Sequence, residues 1–198
     1  MFKVSALQVE YFPDRQVVEH VLSTLGLPEE RLRGVLQAYV CSEPKDAAEG
    51  YQKKLAHNLE EYLKKTLSVG DLESRLDRSY TNRLGEQSDL VLCRHGAQRA
   101  IFFEIEFRPN VEKDLVKFQI GYNSSRLGAA VLILALAREV INPGYTTMPE
   151  FSKFLKVIKE LRPDYPLLLY GIGSDESVVA GTQIKRRQRA DPNEAEEV

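Results

Sequence analysis

The chain has 198 residues, with 27 Lys+Arg against 29 Asp+Glu, 43% hydrophobic residues and no Trp. This composition excludes a disordered or fibrous chain and predicts one soluble α/β-sized domain whose core needs neither disulfides nor a structural metal. A formal net charge of −2 argues against wholesale electrostatic coating of nucleic acid but permits a local basic surface.

Cys41 and Cys93 sit in apolar contexts, AYVC and LVLC, and read as buried, reduced thiols of a cytosolic chain. The N-terminus MFKVSALQVEYF has no charged n-region followed by a long apolar stretch. The longest apolar run, Ala129 to Ala137, is far short of the ~20 residues that span a bilayer. The expectation is a cytoplasmic protein with no membrane contact.

In chain order, Lys3 to Tyr11 is rich in β-branched and aromatic residues and predicts a strand ending at Pro13. Val17, Val18, Val21, Leu22 and Leu25 form a helical stripe ending at Gly26. Pro28 then opens a second helix carrying Leu32, Val35, Leu36 and Tyr39. The stretch Ser42 to Glu49 breaks the pattern. From about Gly50 to Leu67, Tyr51, Leu55, Leu59, Tyr62 and Leu63 recur at helical spacing, which predicts a helix packed on a sheet. The segment DLESRLDRSYTNRLGEQ that follows Gly70 has a thin apolar pattern, with Arg75, Arg78 and Arg83 among acids and hydroxyls; it reads as mobile or partner-contacting.

Ser88 to Cys93 and Ala100 to Phe107 are both β-rich and flank RHGAQR, whose Gly96 suits a turn, so the two predict an antiparallel hairpin. Pro109 ends the second strand, and Asn110 is a natural N-cap for a helix with Val111, Leu115, Phe118 and Gln119. The continuous apolar run AAVLILALA is expected in a strand covered on both faces, reached through a helix and therefore parallel to the strand before it. After the loop REVINPGYTTM, Pro149 opens an amphipathic helix with Phe151, Phe154, Leu155, Val157, Ile158 and Leu161, and PLLLYGIG is a further buried strand. The fold class is α/β, with strand order left open. One domain over residues 1–184 is expected, its first 48 residues a strand and helices. Residues 185–198, with four basic residues followed by four acidic ones, predict a disordered tail.

Several chemistries have no carrier. The three histidines, His20, His57 and His95, are scattered, and there is no HExxH, CxxC, Walker loop, GxGxxG or GxSxG. GIGSDE at Gly171 to Glu176 lacks the third glycine and the following helix of a dinucleotide site. What stands out is IFFEIEF. Side chains alternate along a strand, so Glu104 and Glu106 share one face while Phe103, Ile105 and Phe107 take the other. Same-face carboxylates in an apolar strand repel one another, and their desolvation is costly unless a cation fills the gap. On an edge strand the same acids could face water or pair with Arg99 or Arg108. Asp89, at the start of the partner strand, adds a third acid near the end of the second strand. Asp89 and Glu104, with the backbone carbonyl of Ile105, would form a hard all-oxygen site suited to Mg²⁺.

SDLVL, then FFEIEF, then a helix, resembles the PD-(D/E)XK nuclease core, in which an acid on one strand and an acid-x-base pair on the next hold the metal. Ser88 stands where that motif has proline, and Glu106 where it usually has lysine. The pattern is similar to type II restriction endonucleases of the BamHI, BglII and BstYI kind, which carry Glu or Gln in place of that lysine. The likeness spans about Tyr51 to Gly173, within a nuclease core of residues 49–174. It implies a restriction-endonuclease-like core, a central mixed sheet flanked by helices, and hydrolysis of phosphodiester bonds in double-stranded DNA at specific sites with one or two Mg²⁺ ions. It also implies that Asp89 and Glu104 are metal-binding acids and that Glu106 stands at the position of the lysine substitute and orients or deprotonates the attacking water. A further acid from an upstream helix is expected, with Glu60, Glu61 and Glu73 as candidates. For DNA contact the candidates are Arg75, Arg78 and Arg83, then Arg108, Asn110 and Lys113, and the loop Asn142 to Thr147, including Thr146. Lys185, Arg186, Arg187 and Arg189 are further candidates for phosphate. Palindromic sites are read with matching two-fold symmetry, which predicts a homodimer. The rival readings are a catalytically weak or inactive DNA-binding relative, and a repair or mobile-element nuclease. The charged tail cancels itself, and a metal offsets the three acids, so the near-neutral balance leaves DNA affinity to a metal-loaded cleft and a few local arginines.

Overall fold

The structure is a computed structural model that describes residues 2–4, 6–41, 51–74, 88–106, 111–135 and 151–173. The N-terminal part contains β1 (Phe2–Lys3), β2 (Ala6–Phe12), α1 (Arg15–Thr24), α2 (Glu29–Gln37) and β3 (Val40–Cys41). Then come α3 (Tyr51–Leu67), β4 (Leu72–Ser74), β5 (Leu90–Arg94), β6 (Ala100–Glu106), α4 (Val111–Asn123), β7 (Leu127–Ala135), α5 (Phe151–Leu161) and β8 (Leu167–Gly173). The predicted tail from Lys185 lies outside the described residues.

Among the described residues, six strands form one mixed sheet in the order β2-β8-β7-β6-β5-β4, while β1 and β3 pair separately. The architecture is α/β, a central mixed sheet flanked by helices, consistent with the core that the resemblance implies. The strands β6, β7 and β8 run parallel, and β2, β5 and β4 pair antiparallel to their neighbours. The expected hairpin of β5 and β6 is present. Its turn closes with the Ala97 amide donating to the Arg94 carbonyl at 2.9 Å, and Gly96 supplies the φ of 75° that the turn requires. The apolar run at residues 129–135 is a parallel strand between β6 and β8, as its unbroken hydrophobicity implies.

Two differences from the sequence reading have local causes. The first strand is two, β1 and β2, which belong to different sheets. The start of the polar segment after Gly70 is not wholly irregular. Leu72–Ser74 forms β4, the edge strand beside β5, and three residues with a single buried apolar side chain, Leu72, are too short to show a period.

Alternation divides the core into two layers. Odd-numbered side chains of β6 and even-numbered ones of β5 face α1, α2 and α3, with Ile101, Phe103, Leu90 and Leu92 packed against Val18, Leu22, Leu59 and Leu63. The opposite face, with Phe102, Val91, Leu132 and Leu169, packs under Val111, Leu115 and Phe118 of α4 and Phe151 and Ile158 of α5. On the first face a buried polar chain fastens α2 to the sheet. The Tyr170 hydroxyl donates to Glu29 Oε1 at 2.5 Å, and Arg33 Nε donates to the same oxygen at 2.9 Å.

On the second face Gly171 lets α5 approach β8, because a Cβ there would stand 2.5 Å from Phe151 Cδ2 and 2.8 Å from its Cε2. Phe151 is buried, so its ring cannot swing into solvent. Gly171→Ala is expected to destabilise the protein by about 1–3 kcal/mol through overpacking, read as a lower urea midpoint at unchanged m-value. An unchanged midpoint would mean that the α5–β8 packing is looser than described. Among the described residues, no helix is long and apolar enough to cross a membrane.

Candidate metal centre

The carboxyl ends of parallel strands are where α/β sheets open crevices for ligands. At that end of β6 the pleat turns Glu104 and Glu106 toward α4, on the face shared by Ala100 and Phe102. Because β6 has β5 on one side and β7 on the other, Glu104 is interior and completely buried (0% exposed). The edge-strand alternative therefore does not apply.

Pairing of Leu90 with Phe103 and Val91 with Phe102 carries the register on to set Asp89 opposite Glu104. The ladder ends there, and the side chain of Asp89 takes over: its Oδ2 accepts from the Ile105 amide at 2.6 Å. An amide and a carbonyl of one strand residue point toward the same neighbour, so the Ile105 carbonyl shares the edge on which Asp89 sits. The side chain of Ile105 goes into the opposite core.

Two further charged groups reach the same place from α4. Lys117 Nζ donates to Glu104 Oε2 at 2.8 Å, with side chains only 10% and 1% exposed. The same ammonium lies 3.6 Å from Asp114 Oδ1, an ion pair beyond hydrogen-bond length. Carboxylate oxygens of Glu104, Glu106 and Asp114 converge within 4.8 Å of one another. Among the described residues, no triple that includes Asp89 converges as tightly. Asp89 is instead the neighbouring acid, one strand away.

The electrostatics follow from burial. Glu104 is pushed up to about 8, first by desolvation and then by the Asp89 charge, against the pull of Lys117. Glu106 rises to about 7, through burial and then repulsion from Asp114 and Asp89, with Lys117 and Lys113 opposing. Asp114 rises to about 6, chiefly through burial. Asp89 is also raised by burial, held back by the Ile105 amide and Lys117. Burial works to lower Lys117, but Glu104, Asp114 and Asp89 more than compensate and leave it raised, a firmly charged ammonium.

The donor set is hard oxygen throughout, the chemistry that Mg²⁺ prefers. Glu104 Oε1 and both oxygens of Asp114 are buried and accept no hydrogen bond among the described residues. Buried carboxylate oxygens are ordinarily satisfied, so these residues fit a cation that would satisfy them.

Of the three upstream acids, Glu60 on α3 is close enough for its charge and that of Asp89 to repel, and His57 Nδ1 lies 3.6 Å from it. Glu61 instead faces Lys64 at 3.4 Å and is half exposed (51%). Glu73 lies on β4 opposite Cys93. Of the DNA-contact candidates, Lys113 is exposed on the first turn of α4, near enough to lower Glu106 and Asp114. Arg78, Arg108, Asn110, Asn142 and Thr146, with Arg75, Arg83 and the tail cations, lie outside the described residues.

Asp114 and Lys117 are the residues that the sequence reading missed. The signal was present: Asp114 falls on the stripe of Val111, Leu115 and Phe118, and Lys117 on its next turn, so two opposite charges occupy buried helix positions. Lys117 thereby brings an ammonium to the strand acids although position 106 carries glutamate. No protein-family model matches the chain, and no curated protein is significantly similar to it.

Proposed function

We propose that the protein is a Mg²⁺-dependent endonuclease that hydrolyses phosphodiester bonds at specific sites in double-stranded DNA, like the type II restriction endonucleases it resembles. The observation that carries this reading is Asp89 held against β6 by the Ile105 amide, at the point where the β5–β6 register continues opposite Glu104, with Glu106 on the same strand face as Glu104. Asp89, Glu104 and the Ile105 carbonyl would hold the metal. With Oδ2 of Asp89 fixed by the Ile105 amide, its Oδ1 is the oxygen left to bind. When bound at these residues, a divalent ion would supply Lewis-acid polarisation of the scissile phosphate, a lowered pKa for water and charge stabilisation of the leaving 3′ oxygen.

Glu106 orients the attacking water and takes its proton. Lys117 fixes Oε2 of Glu104 and so sets the orientation of that carboxylate. Lys113 contributes a phosphate contact beside the acids, and Arg78, Arg108, Asn110, Asn142 and Thr146 are the remaining contacts to backbone and base edges. A two-fold homodimer matches a palindromic site.

Supercoiled plasmids of differing sequence, incubated with Mg²⁺ and separately with Mn²⁺, test the reading. Discrete fragments are expected. A smear would replace site specificity with a nuclease acting on DNA structure, and no cleavage with either ion would sink the enzyme reading in favour of a DNA-binding relative.

A further inference from the structure

Resting on the metal-dependent reading above and extending it, we infer that α4 supplies a metal ligand. Asp114 binds a divalent cation together with Glu104 and Glu106, on the α4 side of the sheet. This position differs from the Asp89–Glu104–Ile105 set, since Asp89 is not among the carboxylates that converge.

Three observations carry the assignment. The carboxylate oxygens of Glu104, Glu106 and Asp114 lie within 4.8 Å of one another, so that one hard cation placed among them could draw an oxygen from each. Second, Asp114 is completely buried (0% exposed), yet neither of its oxygens accepts a hydrogen bond among the described residues, and Glu104 Oε1 is left in the same state. An isolated buried carboxylate is so costly that proteins rarely leave one unsatisfied, and these three oxygens belong to the cluster itself. Third, the local charge is unbalanced in the right sense. Glu104, Glu106 and Asp114, with Asp89 beside them, face two ammonium groups: Lys117, which takes Oε2 of Glu104 and touches Asp114 at 3.6 Å, and the exposed Lys113. Once all four acids are ionised, two negative charges remain, which one divalent ion neutralises.

The helix explains the choice of residue. Asp114 lies in the first turn of α4, where the partial positive charge of the helix end favours a carboxylate. Its place on the buried stripe, one turn from both Val111 and Phe118, aims it at β6 rather than at solvent.

The experiment is Mn²⁺ binding by electron paramagnetic resonance, with thermal melting in EDTA and in Mg²⁺, on the full chain and its Asp114→Asn variant. The expected result is at least tenfold weaker Mn²⁺ binding by the variant. Its melting temperature in EDTA is expected to equal or exceed that of the parent, because a buried charge is gone, while its gain on adding Mg²⁺ shrinks or disappears. A purely structural Asp114 would instead lower the melting temperature in both media and leave the gain intact. Equal Mn²⁺ affinity in a folded variant would overturn the assignment and leave the proposed nuclease standing, whereas absence of Mn²⁺ and Mg²⁺ binding by the parent chain would remove both. Should the variant fail to fold, the Asp114 carboxyl carbon of the parent protein, labelled with ¹³C, is followed during Mg²⁺ titration. A shift that saturates supports the ligand, and an unmoved resonance while the chain binds Mg²⁺ overturns it.

Discussion

Glu104→Gln is expected to lower Mg²⁺-dependent DNA cleavage by on the order of 10³-fold or more while the protein stays folded. Glu104 is the acid that both proposed metal positions share, with Asp89 opposite it by the hairpin register and Glu106 and Asp114 on the α4 side. Glutamine preserves the volume of this buried side chain and resembles its protonated form, which burial favours up to about pH 8. Lys117 loses its 2.8 Å partner but retains Asp114 at 3.6 Å, so the ammonium is not left alone. The metal-free melting temperature should therefore stay level or rise. Single-turnover cleavage of plasmid, with circular dichroism melts on the same preparations, separates lost chemistry from lost structure. A folded variant that cleaves within threefold of the parent would remove Glu104 from the reaction.

In EDTA, stability is expected to fall by about 2–4 kcal/mol between pH 5 and pH 9. Glu104, Glu106 and Asp114 bind protons more tightly when folded, at about 8, 7 and 6, than in the unfolded chain. Over that window the native state carries more protons than the unfolded state, so unfolding free energy decreases as pH rises. The stabilisation is fully present below pH 4 and is lost progressively as the medium passes through 6, 7 and 8. Glu104 contributes most because it is completely buried; Glu106 is partly open to solvent and contributes less. Mg²⁺ should reverse the trend, since a cation binds the ionised carboxylates and its affinity rises as their protons leave. Urea titrations at the two pH values, with EDTA and with Mg²⁺, give four midpoints to compare. A metal-free midpoint that rises with pH would contradict the burial assigned to these acids, and a Mg²⁺ effect that is the same at both pH values would disconnect them from the metal.

The two effects meet in one arrangement: acids that lower the stability of the metal-free protein as pH rises are those whose ionisation would prepare the cluster for a cation. A cluster of this kind exchanges stability for readiness, as strained or electrostatically opposed sites commonly do. Lys117 limits the cost by neutralising one of the three converging charges.

Much of this molecule was legible in the chain because it rests on short-range periodicity. The 3.6-residue stripes gave α1, α2 and α3, Gly96 between two β-rich runs gave the β5–β6 hairpin, and the unbroken AAVLILALA run gave a strand covered on both faces. Alternation alone put Glu104 and Glu106 on one face, and the hairpin brought Asp89 alongside. What no local pattern contains is which strands become neighbours. That β2 lies at the far edge beside β8, and that β6 is interior and so buries Glu104 beyond the reach of water, follow only from long-range pairing. The same limit applies to α4. Its stripe marked Asp114 and Lys117 as buried charges, but their meeting with the strand acids depends on the crossover laying that helix over the carboxyl end of β6. Sequence thus determined the longer elements and the shared face of the acids, through forces acting over a few residues, and left the short strands β1, β3 and β4 unmarked. Tertiary packing decided which charges those acids face, because desolvation and Coulomb energy depend on distance in space and not along the chain.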